Sequence, residues 1–115
     1  MTLSEIAAAI RRVSPGAVPK QFHERNGVMC VSYPGHESGL APLPDDIARH
    51  VLMAAMVLDA KADRFAPCDD GWIVHRRRTD VPSDTTHESK AFFDVDHGGS
   101  LGACYAAWRF AKGIA

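Results

Sequence analysis

The sequence has almost no charge of one sign to spare. Thirteen basic and fourteen acidic side chains leave a formal net charge of −1, whereas a dedicated nucleic-acid binder usually carries a clear basic excess. Residues 1–70 hold seven basic and nine acidic side chains, and residues 71–115 hold six and five. The second part is therefore slightly basic and the first slightly acidic. Long hydrophobic runs are also missing. The longest, Val51–Leu58, is flanked by Arg49 and Asp59 and falls far short of the roughly 20 residues a bilayer span needs. Cysteine is scarce: Cys30, Cys68 and Cys104 are odd in number and far apart, which excludes the usual disulfide framework of a small secreted domain. Met1–Val13 reads as an amphipathic helix without a cleavage site, not as a secretory leader. A reduced, cytoplasmic setting is the expectation.

The signatures of catalysis are equally sparse. There is no C-x-x-C and no H-E-x-x-H, so no zinc site is expected. G-x-G-x-x-G and the Walker-type phosphate loop do not occur. Cys30 and Cys104 sit among apolar neighbours, where thiols are inert. His36-Glu37 and His87-Glu88 are adjacent pairs whose side chains diverge on a strand or a helix. Asp94 and Asp96 share one face if they lie on a strand and could then hold Mg²⁺; the plainer reading is a pair of solvent-side acids. The expectation is a non-enzymatic protein with no cofactor and no metal.

What the chain does have is a globular composition, 46% hydrophobic over 115 residues, enough for a true core. Thr2 and Glu5 form a capping-box pair, and Leu3, Ile6, Ala7 and Ile10 recur at helical spacing until Ser14-Pro15-Gly16. Val18–His23 and Val28–Tyr33 read as strands around an Asn26-Gly27 turn. His36–Pro44, broken by glycine and proline, reads as a loop with room for a short extended piece. Pro44-Asp45-Asp46 opens a helix over Ile47–Ala62, with carboxylates at its positive dipole end. Because Val51–Leu58 is apolar nearly all round, this helix is expected to be buried on several sides.

Ala66–Gly71 is rich in turn formers and reads as a linker. Trp72–Arg78 and Glu88–Asp96 read as a hairpin with a long loop over Thr79–Thr86. His97-Gly98-Gly99 then breaks the chain, with Ser100 as the expected N-cap of a helix running to Lys112-Gly113. The order is α–β–β–α–β–β–α, and the fold class is α+β: antiparallel hairpins packed on a buried central helix. One domain is expected over residues 1–115, with a helix, hairpin and core helix in 1–65 and a ββα unit in 71–113. The tripeptide His-Glu-Ser occurs at His36–Ser38 and His87–Ser89. Chance supplies on the order of one such coincidence in a chain of this length, so no repeat is expected from it.

The one concentrated feature is His75-Arg76-Arg77-Arg78, with Lys90 on the return strand. Strand alternation puts Arg76 and Arg78 on one side and His75 and Arg77 on the other. Arginines on such a ribbon can clamp phosphates or reach guanine edges in the major groove; the plainer reading by spacing is a solvated strand end balanced by Asp80, Asp84 and Glu88. The balancing feature is acidic: Asp45, Asp46, Asp69 and Asp70 could meet the basic groove of a protein partner.

Residues 71–113 resemble the small DNA-binding fold of plant ethylene-response factors, phage integrase arm-binding modules and homing-endonuclease-associated modules. The resemblance rests on Gly71-Trp72, the basic Arg76, Arg77 and Arg78, Phe92-Phe93, Gly98-Gly99, and Ala103, Ala106 and Ala107 with Arg109. It covers about two-fifths of the chain and implies a sheet that faces DNA with a helix behind it, although two strands are legible where the family has three. In size and style the whole chain also resembles the small accessory proteins of phages and mobile elements, anti-CRISPR inhibitors among them. That resemblance implies a protein that binds and inhibits or adapts a host protein complex, one that itself handles nucleic acid. The near-neutral charge puts this protein-binding reading first, with a DNA-binding hairpin over residues 72–96 as the alternative. Neither reading involves a membrane, and both leave homodimer formation open.

Overall fold

The first helix closes its own exposed backbone. The Thr2 hydroxyl accepts from the Glu5 backbone N–H at 3.1 Å, while the Glu5 carboxylate accepts from the Thr2 backbone N–H at 3.4 Å. This is the capping box read from the sequence, and it starts helix α1 at Leu3–Val13. Ile6, Ala7 and Ile10 form its buried stripe. A computed structural model of the protein describes residues 2–25, 28–33, 36–60, 64–77 and 87–114, with the backbone alone at residues 33, 36–39, 64, 76, 77 and 87. The Asn26-Gly27 turn, the 79–86 hairpin loop and Arg78 lie outside the described residues.

After α1 come strands β1 (Phe22–Arg25), β2 (Val28–Tyr33) and β3 (His36–Pro42), then helix α2 (Asp45–Ala60). Strands β4 (Arg64–Cys68), β5 (Gly71–Arg77) and β6 (His87–Phe93) follow. A one-turn 3₁₀ helix (Asp94–Asp96) leads into helix α3 (Ser100–Lys112). The chain is α+β, with two three-stranded antiparallel sheets ordered β1-β2-β3 and β4-β5-β6.

Two strands correct the sequence reading. Residues 36–42 form a full strand, β3, where a loop with at most a short extended piece was expected, and residues 64–68 form β4, which runs into the linker expected from Ala66. Both are edge strands, β3 holding Gly39 and Pro42 and β4 holding Pro67. Proline is tolerated at an edge because one of its sides makes no ladder bonds. The strand expected over 18–23 lies later, at Phe22–Arg25, although Val18 is buried.

The chain forms two compact units, Met1–Ala55 and Met56–Ala115, and α2 contributes to both. In the first, α1 packs on β1 and β2, and Arg11 clamps β1. Its guanidinium meets the Glu24 carboxylate at 2.5 Å and also donates to the Phe22 carbonyl. Central β2 buries Met29 on one face and Cys30 and Ser32 on the other, with Val31 half-exposed and Val28 exposed. Helix α2 departs from expectation. It buries one stripe, Ala48, Leu52, Ala55, Met56 and Ala60, while Leu58 is 79% and Ile47 46% exposed. The apolar run is thus not enclosed on several sides.

In the second unit α3 packs across β5 and β6. Trp72, Val74 and Phe92 face it from the sheet, and Leu101, Ala103, Cys104, Ala107 and Trp108 complete this core. Two indoles tie it together. Trp72 Nε1–H donates to the Ser100 hydroxyl at 3.2 Å, and Trp108 Nε1–H to the Asp59 carboxylate at 3.0 Å. Ser100 is therefore the first residue of α3 and not its cap. The cap is Gly99, whose φ of 124° belongs to glycine. At the other end Gly113 adopts the left-handed conformation that closes many helices, with Ile114 N–H returned to the Arg109 carbonyl at 2.8 Å.

Each unit thus contains three antiparallel strands followed by a helix, and His-Glu-Ser opens the third strand in both. This shared placement goes beyond what the tripeptide alone licensed. His36 and His87 stand 51 residues apart, and the same spacing without gaps matches Asp45 to Asp96, Ala55 to Ala106, Ala60 to Ala111 and Lys61 to Lys112. It also pairs Leu52 with Ala103 and Met56 with Ala107, all four fully buried.

Candidate functional site

Alternation along the second sheet sorts its residues cleanly. Trp72 and Val74 on β5, with Phe92 on β6, face α3 and are buried. The opposite parity holds Gly71, Ile73, His75 and Arg77 on β5, paired in register with Phe93, Ala91, Ser89 and His87 on β6. On β4 the partners of His75, Ile73 and Gly71 are Arg64, Ala66 and Cys68. Helix α3 does not pack on this face. Phe93 and Ser89 are exposed, and Ala66, Cys68, Ile73, His75 and Ala91 are half-exposed.

This open face has a distinct charge layout. None of its register positions is Asp or Glu, while Arg64, His75, Arg77 and His87 gather at one end. The other end is apolar, and Phe93 is exposed there opposite Gly71.

The sequence-predicted cluster is divided accordingly. His75 belongs to the open face, and the Arg77 backbone occupies the same row. The Arg76 backbone pairs with Glu88, in the row of Lys90, and Arg78 lies outside the described residues. Lys90 sits on the helix side, with its ammonium over the rings of Phe92 and Phe110 at 5.3 and 5.9 Å. The cluster therefore does not act as one surface. Arg64 was missed, because it falls between the helix expected to end at Ala62 and the linker expected from Ala66, where no strand was read.

The acidic residues have local roles. Asp45 and Asp46 occupy the first turn of α2, where the helix dipole favours carboxylates. Asp69 and Asp70 form the turn between β4 and β5, and the Asp70 carbonyl accepts from Asp94 N–H at 2.9 Å. Asp94 and Asp96 do not share a strand face as expected. The return strand stops at Phe93, and both lie in the 3₁₀ turn. Asp94 Oδ1 is buried with no hydrogen-bond partner among the described residues, where no group of three or more His, Cys, Asp or Glu is arranged to hold a metal.

Two further polar features escaped the sequence. His23 Nε2 lies 3.0 Å from Ser32 Oγ, itself 3.5 Å from the Gln21 carbonyl. Ser32 is only 7% exposed, so the pair serves to satisfy a buried hydroxyl, as buried polar groups require. Asp59 accepts from Trp108 and lies 3.3 Å from Lys112 Nζ, holding the end of α2 to α3. The three cysteines are free. Burial pushes the Cys104 thiol up from 9.0 to about 12, so it stays protonated and unreactive at neutral pH. No helix among the described residues is long and apolar enough to cross a membrane.

No family model, no curated protein and no solved structure matches the chain.

Proposed function

We propose that the protein is a non-enzymatic, macromolecule-binding module whose open β4–β5–β6 face docks on duplex nucleic acid. The observation that carries this reading is the absence of any carboxylate residue from the register positions of that face, combined with Arg64, His75, Arg77 and His87 at one end. A net charge near zero argued against nucleic acid at the level of the whole chain. Charge sorted by face is the relevant quantity, because phosphates meet one surface and not the average. The displacement of Asp94 and Asp96 into the 3₁₀ turn also removes two acids that a DNA-facing strand would otherwise carry, which supports the reading.

The test is anisotropy of a labelled duplex of about 20 base pairs at several salt concentrations, because phosphate binding weakens linearly in log[salt]. Arg64→Gln and Arg77→Gln should each reduce the salt slope by about 1. Ile73→Glu, which puts a carboxylate at the centre of the face, should abolish binding with the circular dichroism spectrum unchanged. Absence of binding at about 50 mM salt, or an Ile73→Glu protein that binds as well as the parent, overturns the reading. Stoichiometric association with a protein complex in place of DNA binding would return the same face to an inhibitor or adaptor of anti-CRISPR type.

A further inference from the structure

The open side of the second sheet changes sign from one end to the other. Its rows run from Phe93 opposite Gly71, through Ile73 opposite Ala91, to His75 and then Arg77. Beyond the apolar end the chain turns through Asp69-Asp70, both exposed. The Asp70 carboxylate reaches the open side, because its Oδ1 accepts from the Cys68 thiol at 3.8 Å. The 3₁₀ turn with exposed Asp96 adjoins it, joined by the bond from Asp94 N–H to the Asp70 carbonyl. Among the described residues none of Asp69, Asp70 and Asp96 forms an ion pair. Unpaired carboxylates thus border one end of the face, basic positions occupy the other, and an apolar stretch lies between.

Strand β5 runs seven residues from Gly71 to Arg77, which is roughly 20 Å at about 3.3 Å per residue. A surface whose two ends attract each other is complementary to its own copy turned end for end. Two sheets stacked about 10 Å apart can be related by a twofold axis along the strands or across them. An axis along the strands sets acid over acid and base over base. An axis across them, passing between Ile73 and His75, reverses the strands and sets each acidic turn over the partner's basic end. It also lays Ile73 of each copy over the partner's His75.

We infer that the open β4–β5–β6 face is a homodimer interface, with two copies packed antiparallel about the axis across the strands. Three strands about 4.8 Å apart give roughly 300 Å² of sheet, against about 800 Å² per partner in a standard interface. The dimer is therefore weak, with a Kd on the order of 100 μM. Nucleic acid plays no part in it, although both would need the same face.

Sedimentation equilibrium of the whole chain, at up to about 500 μM or several times that Kd, should show monomer and dimer in exchange. The Kd should rise roughly fivefold between about 50 and 500 mM salt as the charges are screened. Asp70→Lys and Arg77→Glu should each weaken the dimer roughly tenfold, since the symmetry makes one substitution alter two contacts. An equimolar mixture of these two variants should regain the dimer, because each then meets opposite charge at both contacts. Ile73→Glu, at the centre, should abolish self-association. The indole N–H resonances of Trp72 and Trp108 report that each variant is folded. A parent chain that stays monomeric, a dimer indifferent to salt, or two folded variants that recover nothing on mixing overturns the inference. No duplex is present in these experiments, so that failure leaves the nucleic-acid reading standing.

Discussion

Replacing Gly102 by alanine sets two effects of opposite sign against each other. Gly102 lies in the first turn of α3, and alanine is the better helix former by about 0.8–1.0 kcal/mol. A Cβ at this position would, however, overlap the carbonyl oxygen of His97, and it would stand 3.0 Å from the carbonyl carbon. The obstacle is backbone and cannot rotate away. It is also tied down, because His97 N–H and Gly99 N–H both donate to the Asp94 carbonyl, at 3.2 and 2.9 Å. Relief requires α3 to lift from the turn before it, which disturbs the packing of Leu101, Ala103 and Cys104. Overpacking costs about 1–3 kcal/mol, and an immovable backbone puts this site at the upper end. Net of propensity, Gly102→Ala should lose about 2 kcal/mol, a fall in Tm of roughly 8–16 °C. Tryptophan fluorescence during urea or thermal unfolding is the assay, since Trp72 and Trp108 both lie in this unit. Gly16→Ala is the control: no atom lies within 4 Å of its Cβ, and a gain of about 0.4–1 kcal/mol is expected from the less flexible unfolded chain. A Gly102→Ala protein as stable as its parent, or more so, would refute the reasoning.

Asp59→Ala should cost about 2 kcal/mol, because it leaves the indole N–H of buried Trp108 without its acceptor. Asp59→Asn, which retains an oxygen acceptor, should cost less than half as much in the same urea titration. In the native protein at mildly alkaline pH a thiol reagent should modify half-exposed Cys68 quickly and buried Cys30 and Cys104 only on unfolding, counted as thiolate released before and after denaturant. Cys104 also sets a pH dependence. Its folded value of about 12 stands above the ordinary 9.0, so the folded state holds the proton more tightly. The stability this contributes is complete below pH 9.0 and is lost as pH rises towards 12. Between about pH 8 and 11 the parent should therefore lose more stability than Cys104→Ala, measured as the shift in urea midpoint.

What could be read from the sequence divides along physical lines. Helix ends were legible where the signal is local. The Thr2–Glu5 capping box and the Lys112-Gly113 terminus stand where the residues put them. Strand β2 was legible because its β-branched and aromatic residues are consecutive, and its observed bounds are the expected ones. The two missed strands were edges, where Gly39, Pro42 and Pro67 weaken the strand pattern and the neighbouring strand supplies what propensity does not. The expected enclosure of α2 failed for a different reason. A run of apolar residues records what a helix can bury, and only tertiary packing selects the stripe that is buried, leaving Leu58 in solvent. At the candidate site the arginine cluster and its division between two faces were legible, but which face is covered by α3 could be assigned only once Trp72 and Val74 were seen to be buried. Arg64 could not enter at all before β4 existed.

The internal correspondence sharpens where a binding surface can lie. Both units present three antiparallel strands and then a helix, so a first expectation is two equivalent sheets with two equivalent faces. Burial does not break that equivalence: β2 buries Met29, Cys30 and Ser32 with Val31 half-exposed, and β5 buries Gly71, Trp72 and Val74 with Ile73 and His75 half-exposed. Charge does. In the first sheet Glu24 lies opposite Met29. In the second, no position in the row of Ile73 is Asp or Glu, and β4, β5 and β6 bring Arg64, His75, Arg77 and His87 into register at one end.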